Sequence, residues 1–143
     1  MAKPQVHRFF CQVHYEDTDM AGIVYYANYL KFIERARSAF VRNLGIDQND
    51  LRKRHGTIFA VRKVVADYLK PAIFEDQLTV VTSPQSVTSA RLILNQDVMR
   101  GDMLLFRAEV TLVYLSPSGR PLRLPSAVLA AATVGAVKLA GTI

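Results

Sequence analysis

Three carboxylates, Glu16, Asp17 and Asp19, crowd one short segment of the chain, together with Gly22, Tyr25 and Tyr26. An ionised carboxylate held against a reactive carbon or a water serves as a nucleophile or a general base. Gly22 frees the backbone to turn tightly beside Asp19. Tyr25 and Tyr26 supply aromatic surface that lines a pocket or packs a core. A plainer reading stays open from residue types alone: acids just before a helix interact well with the positive end of its dipole.

Other familiar chemistry is missing. The sequence contains no G-x-S-x-G elbow, no P-loop, no G-x-G-x-x-G and no H-E-x-x-H. His7, His14 and His55 do not have metal-ligand spacing, so no metal site is expected from them. The single cysteine, Cys11, excludes an internal disulfide and a cysteine-rich zinc site. Its apolar neighbours point to a buried structural thiol rather than a nucleophile.

The elements that must position the acidic loop can be read from periodicity. Apolar residues at Tyr29, Ile33, Ala36, Phe40 and Leu44, widened by Leu30, Phe32 and Val41, predict a helix over residues 28–44. Asn28 is the expected cap at its start and Gly45 the expected terminator. A short second helix over 47–54 is capped by Asp47. Strands are expected over 6–15, 57–69, 78–83, 87–99 and 104–114. The last has apolar residues at every second position from Leu104 to Tyr114, with Arg107, Glu109 and Thr111 among the alternates. Gly101 and Asp102 form a hairpin turn, Pro71 breaks the chain between two strands, and 116–119 form another turn. A short helix follows from about Pro125. Helices segregated from a run of antiparallel strands define an α+β domain, expected to span residues 1–143 without a linker.

The formal charge of +6 describes a protein that attracts anions. A nucleotide-bearing substrate, an acidic carrier protein, an anionic membrane and a nucleic acid all carry that charge. So does the plain alternative, a charge that merely keeps a small protein in solution. The arginines are scattered among apolar positions with no basic-aromatic stripe, so no nucleic-acid partner is expected. Residues 1–15 contain no signal-peptide core. The apolar stretch 127–137 is too short to span a bilayer and is followed by Lys138. These features give the expectation of a cytoplasmic protein without stable membrane insertion.

The run Glu16-Asp17-Thr18-Asp19-x-x-Gly22-x-Val24-Tyr25-x-x-Asn28-Tyr29 is followed by Phe32-x-Glu34-Arg35-Ala36-Arg37. Together they closely resemble the 4-hydroxybenzoyl-CoA thioesterase family, and within it the acyl-CoA thioesterases associated with the bacterial Tol-Pal system. The resemblance continues through Phe59-Ala60-Val61-Arg62-Lys63, Tyr68-Leu69-x-Pro71-Ala72 and Arg120-Pro121-x-Arg123-x-Pro125. It implies a hotdog fold, an antiparallel sheet of about five strands wrapped around a long central helix. It also implies a homodimer or homotetramer with active sites at the dimer interface.

The implied activity is hydrolysis of acyl-CoA, or of acyl carrier protein thioesters, to free acid and thiol, with no cofactor. By the same resemblance Asp19 is the catalytic carboxylate, and Glu16 and Asp17 shape its loop. Backbone N–H groups near Ile58 or Phe59 bind the developing oxyanion. Gly22, Tyr25 and Tyr26 contact substrate. Many members of the family carry a histidine where this chain has Tyr26, and its absence here weakens any proton-relay mechanism copied from them. CoA phosphates or an acidic carrier would meet Arg62, Lys63, Arg91, Arg120 or Arg123, with Arg62 and Lys63 on opposite faces of a regular strand. Two other readings use the same fold: a non-catalytic scaffold for acyl groups or acyl carrier protein, and a dehydratase. The latter needs a histidine beside its carboxylate, and only His14 stands near.

Overall fold

A computed structural model describes residues 6–133 and 137–138. Part of the apolar stretch 127–137 and both ends of the expected 1–143 span therefore lie outside the described residues. The chain runs through β1 (His7–Gln12), a 3-10 turn (Tyr15–Asp17), α1 (Asn28–Asn43), α2 (Gln48–His55), β2 (Ile58–Tyr68) and β3 (Gln77–Val87). It continues through β4 (Arg91–Arg100), β5 (Met103–Leu115), β6 (Pro121–Leu122), α3 (Ser126–Thr133) and β7 (Val137–Lys138). The main sheet is ordered β1-β3-β4-β5-β2, with β6 added to β5 and β7 to β3. All pairs of that main path are antiparallel. The expected α+β architecture is thus met, and β1 and β2 are its two edges.

The inner face of the sheet is built by alternation. Leu92, Leu94 and Val98 of β4 and Phe106, Ala108, Val110 and Leu112 of β5 are buried. From α1 they meet Tyr29, Phe32, Ile33, Ala36 and Phe40. One polar side chain belongs to this layer. Gln96 is fully buried, and its amide donates to the Ile33 carbonyl and to Thr82 Oγ1, each at 2.9 Å, while its Oε1 accepts from Arg37 at 2.9 Å. A fully satisfied amide of this kind fixes the rotation and height of α1 on the sheet, because any slip leaves buried polar atoms unpaired.

The C-terminus of α1 ends as expected at Gly45. The Gly45 N–H donates to the Arg42 carbonyl at 2.9 Å and the Ile46 N–H to the Val41 carbonyl at 3.4 Å. That pairing requires the left-handed φ of +89° that Gly45 adopts. Asp47 caps α2 as expected, accepting from the Asp50 N–H at 3.0 Å.

Three expectations need correction. Asn28 does not cap α1. It is the first helical residue, and its buried side chain donates to Asp17 instead. Leu30 is 42% exposed and so does not widen the buried stripe of α1, which Phe32 and Val41 do. The strand expected over 78–83 runs on to Val87, and the next begins only at Arg91. Pro84 is accommodated by a register shift between Pro84 and Ser86. The turn between the strands is closed by the Thr88 hydroxyl, which accepts from the N–H groups of Ala90 and Arg91.

No helix of the described residues is long and apolar enough to cross a membrane.

Candidate active site

The acidic loop leaves β1, makes the 3-10 turn and enters α1. Its brace is Asp17, only 6% exposed. One carboxylate oxygen accepts from the His14 N–H and the other from the Asn28 amide, both at 2.8 Å, and the Asp17 carbonyl accepts from the Tyr25 N–H at 2.9 Å. Asp17 therefore ties the end of β1, the loop and the first turn of α1 to one point.

Asp19 is held differently. Its N–H donates to the Ile23 carbonyl at 2.9 Å, and the Gly22 N–H donates back to its carbonyl at 3.0 Å. This tight loop is possible because Gly22 takes a φ of +82°. The Ala21 N–H donates to Asp19 Oδ1 at 2.9 Å. Among the described residues Oδ2 accepts no hydrogen bond, so one carboxylate oxygen is presented to a ligand. Glu16 is exposed.

Asp19 lines an open cleft of about 440 Å³ together with Tyr26, Tyr29, Tyr68, Leu69 and Lys70. The aromatic wall is packed from below. Tyr29 stacks on Phe106 with ring centroids 4.9 Å apart, and Tyr68 meets Phe106 edge-on at 5.0 Å. Tyr68 donates from its hydroxyl to the Tyr26 carbonyl at 2.9 Å, and the Tyr29 hydroxyl accepts from the buried Ala72 N–H at 3.1 Å. Burial raises the Tyr29 and Tyr68 phenols above their ordinary range, and the Tyr26 hydroxyl adds to the rise at Tyr68. Tyr25 is raised chiefly by Tyr26 beside it. These three phenols accordingly stay protonated and neutral at physiological pH.

The sequence-derived site residues fall into two groups. Asp19 and Tyr26 line the cleft, while Gly22 is bonded to the Asp19 carbonyl and Tyr25 packs on Tyr26 with ring centroids 4.9 Å apart. Ile58 and Phe59 pair with Leu115 and Tyr114, and β6, directly after Arg120, pairs with those same two residues of β5. Ile58, Phe59 and Arg120 therefore sit at the opposite end of β2 from Tyr68, roughly 30 Å away at the ordinary strand rise. Arg62 is the extra residue at a register shift between Val61 and Lys63, so the simple alternation expected for Arg62 and Lys63 is interrupted there. Tyr29, Tyr68 and Lys70 were not among the sequence-derived site residues. Tyr68 begins the run Tyr68-Leu69-x-Pro71-Ala72 and Lys70 fills its variable position, while the helical spacing of Tyr29 points to the core, where it also packs.

Cys11 packs against the core, and burial raises its thiol, with Asp17 adding to the rise against an opposing Arg35. Its alkylation by iodoacetamide at pH 8 is expected to run at least about tenfold slower than that of a free thiol and to recover in denaturant. A native rate equal to the denatured one would contradict the placement. Among the described residues no cluster suited to a metal ion is present.

The fold and the loop together define a hotdog thioesterase architecture, and known proteins agree. A family model described as the thioesterase-like superfamily matches residues 13–132. The acyl-CoA thioesterase YbgC of Haemophilus influenzae is 38% identical over 102 residues, covering 71% of this chain and 75% of the relative. The acyl-CoA thioester hydrolase YbgC of Escherichia coli O6:H1 is 35% identical over 125 residues, covering 86% and 92%. The crystal structure of a probable thioesterase from Bartonella henselae superposes with a TM-score of 0.80 at 33% identity, covering 84% of this chain and 99% of that one. The chain belongs to the thioesterase-like superfamily. It is a thioester hydrolase, as the motif resemblance implied.

Proposed function

We propose that the protein hydrolyses acyl-CoA thioesters in the cleft beside Asp19. The observation that carries this reading is the pairing of a carboxylate that keeps one oxygen free with an aromatic-walled cleft. In the general-base route, Asp19 takes a proton from water as the water oxygen attacks the thioester carbon. In the nucleophilic route its free oxygen attacks first and water then opens the anhydride. Either way the C–S bond breaks, the sulfur leaves as the CoA thiolate and is protonated, and the acyl group leaves as a carboxylate. An acyl carrier protein thioester would present the same reacting atoms. The setting is cytoplasmic.

We further propose that the working unit is a homodimer, with dimers paired into a homotetramer. Val64 and Val65 are adjacent on β2 and therefore face opposite ways, yet both are exposed, at 40% and 49%. β2 is also a sheet edge with unpaired backbone groups. A second copy pairing antiparallel along this edge would cover both faces. It would also bring the Ile58 and Phe59 end of one β2 to the Tyr68 end of the other, beside Asp19. Outward N–H groups near Ile58 and Phe59 of the second copy would then meet the developing oxyanion. Arg120, at the same end of the sheet, and Arg62 would flank the CoA arm.

Val64→Lys tests the dimer. It is expected to give monomers by light scattering and to lower turnover at least about tenfold, since one oxyanion donor lost costs that or more. Full turnover by a monomeric variant would contradict a shared site. The hydrolase reading is tested by mass analysis of products. Hydrolysis yields free acid and CoA in equal amounts, whereas a protein that only holds acyl groups leaves the thioester intact.

A further inference from the structure

The cleft contains one cationic side chain, Lys70, opposite in charge to Asp19. It occupies the open position of Tyr68-Leu69-x-Pro71-Ala72. Its backbone is fixed: the N–H groups of Leu69 and Lys70 both donate to the Leu105 carbonyl, at 2.8 and 3.0 Å. Arg100 holds the Pro71 carbonyl at 3.3 Å. Arg100 is itself engaged by Asp76 at 2.7 Å. Lys70, by contrast, forms no ion pair among the described residues. An unneutralised ammonium on a flexible stem, at the wall of an aromatic cleft, is a receptor for an anionic group of the ligand.

Position decides which anion. The CoA phosphates lie a full pantetheine arm away from the thioester sulfur, whereas Lys70 and Asp19 line the same cavity of about 440 Å³. With Asp19 at the thioester carbon, which is the reading proposed above and on which this inference rests, the anion within reach of Lys70 belongs to the acyl group. We propose that Lys70 selects acyl groups that end in a carboxylate, the monothioesters of short dicarboxylic acids. Without the ammonium, such a carboxylate would enter a cleft whose remaining charge is the like-charged Asp19. A methyl-ended acyl chain gains nothing from Lys70.

The test compares glutaryl-CoA with valeryl-CoA, equal in carbon number and different in the terminal group, on the full chain and on Lys70→Met and Lys70→Arg. The wild type is expected to favour glutaryl-CoA. Lys70→Met is expected to lower kcat/KM for glutaryl-CoA at least about tenfold, the size of a lost charge-assisted hydrogen bond, and for valeryl-CoA less than about twofold. Lys70→Arg is expected to keep most of the preference. Equal losses on both substrates would overturn the assignment. The same acyl groups carried on N-acetylcysteamine, which has no phosphates, give the second arm. A preference that persists supports acyl recognition, and one that vanishes means Lys70 reads a CoA phosphate and overturns it. Turnover of valeryl-CoA by the wild type separates the two claims. Turnover without a Lys70-dependent preference removes this inference alone, and no turnover of either substrate removes the hydrolase reading as well.

Discussion

Asp19→Asn is expected to lower kcat/KM for acyl-CoA hydrolysis by at least about a hundredfold while leaving the fold unchanged. The two halves of that expectation have separate physical grounds. Asp19 is exposed, and the hydrogen bond from the Ala21 N–H goes to an oxygen that asparagine also possesses. Its backbone bonds to Ile23 and Gly22 do not depend on the side chain. Stability should therefore change by less than about 0.5 kcal/mol, the usual range for an exposed substitution that breaks no buried contact. Chemistry is another matter, because a neutral amide neither accepts a proton from water nor attacks a thioester at useful rates. Steady-state kinetics with thermal unfolding of the same sample checks both parts. A folded variant with near-native turnover would move the chemistry to another group.

The neighbouring acid should respond in the opposite way. Asp17→Ala is expected to destabilise the protein by about 2–4 kcal/mol, because it strands two donors that a carboxylate had satisfied, one of them buried. The Asn28 amide, 9% exposed, and the His14 N–H each lose a 2.8 Å bond. The shift is read from the urea midpoint at constant slope. Activity should fall with it, since Asp17 sets where the loop meets α1. An Asp17→Ala protein as stable as the wild type would mean that the brace carries little energy. Two aspartates two residues apart thus separate into a structural brace and an exposed carboxylate.

Much of this was legible in the chain. The period of apolar residues gave α1 and the long strands, and Gly45, Asp47 and Gly101 marked ends and turns where they were expected. Local chemistry fails where a residue answers to a distant partner. Asn28 looks like a cap but is drawn to a carboxylate eleven positions earlier, which no helix rule contains. The strand expected over 78–83 stops one residue short of Pro84, and the register shift of β3 against β4 lets it pass through that proline. The acidic loop was identifiable from its motif. The cleft was not, since Tyr29, Tyr68 and Lys70 meet Asp19 only after β2 and α1 are placed on one sheet. The separation of Ile58 and Phe59 from Asp19 was equally invisible, because it depends on β2 running its whole length away from the cleft.

Thiol release from valeryl-CoA by the purified full chain, followed alongside the free acid for many turnovers per protein molecule, is the most direct measurement. Thiol and acid appearing in equal amounts, far in excess of the protein present, is the expected result. Release no faster than in the absence of protein would contradict hydrolysis at the Asp19 cleft.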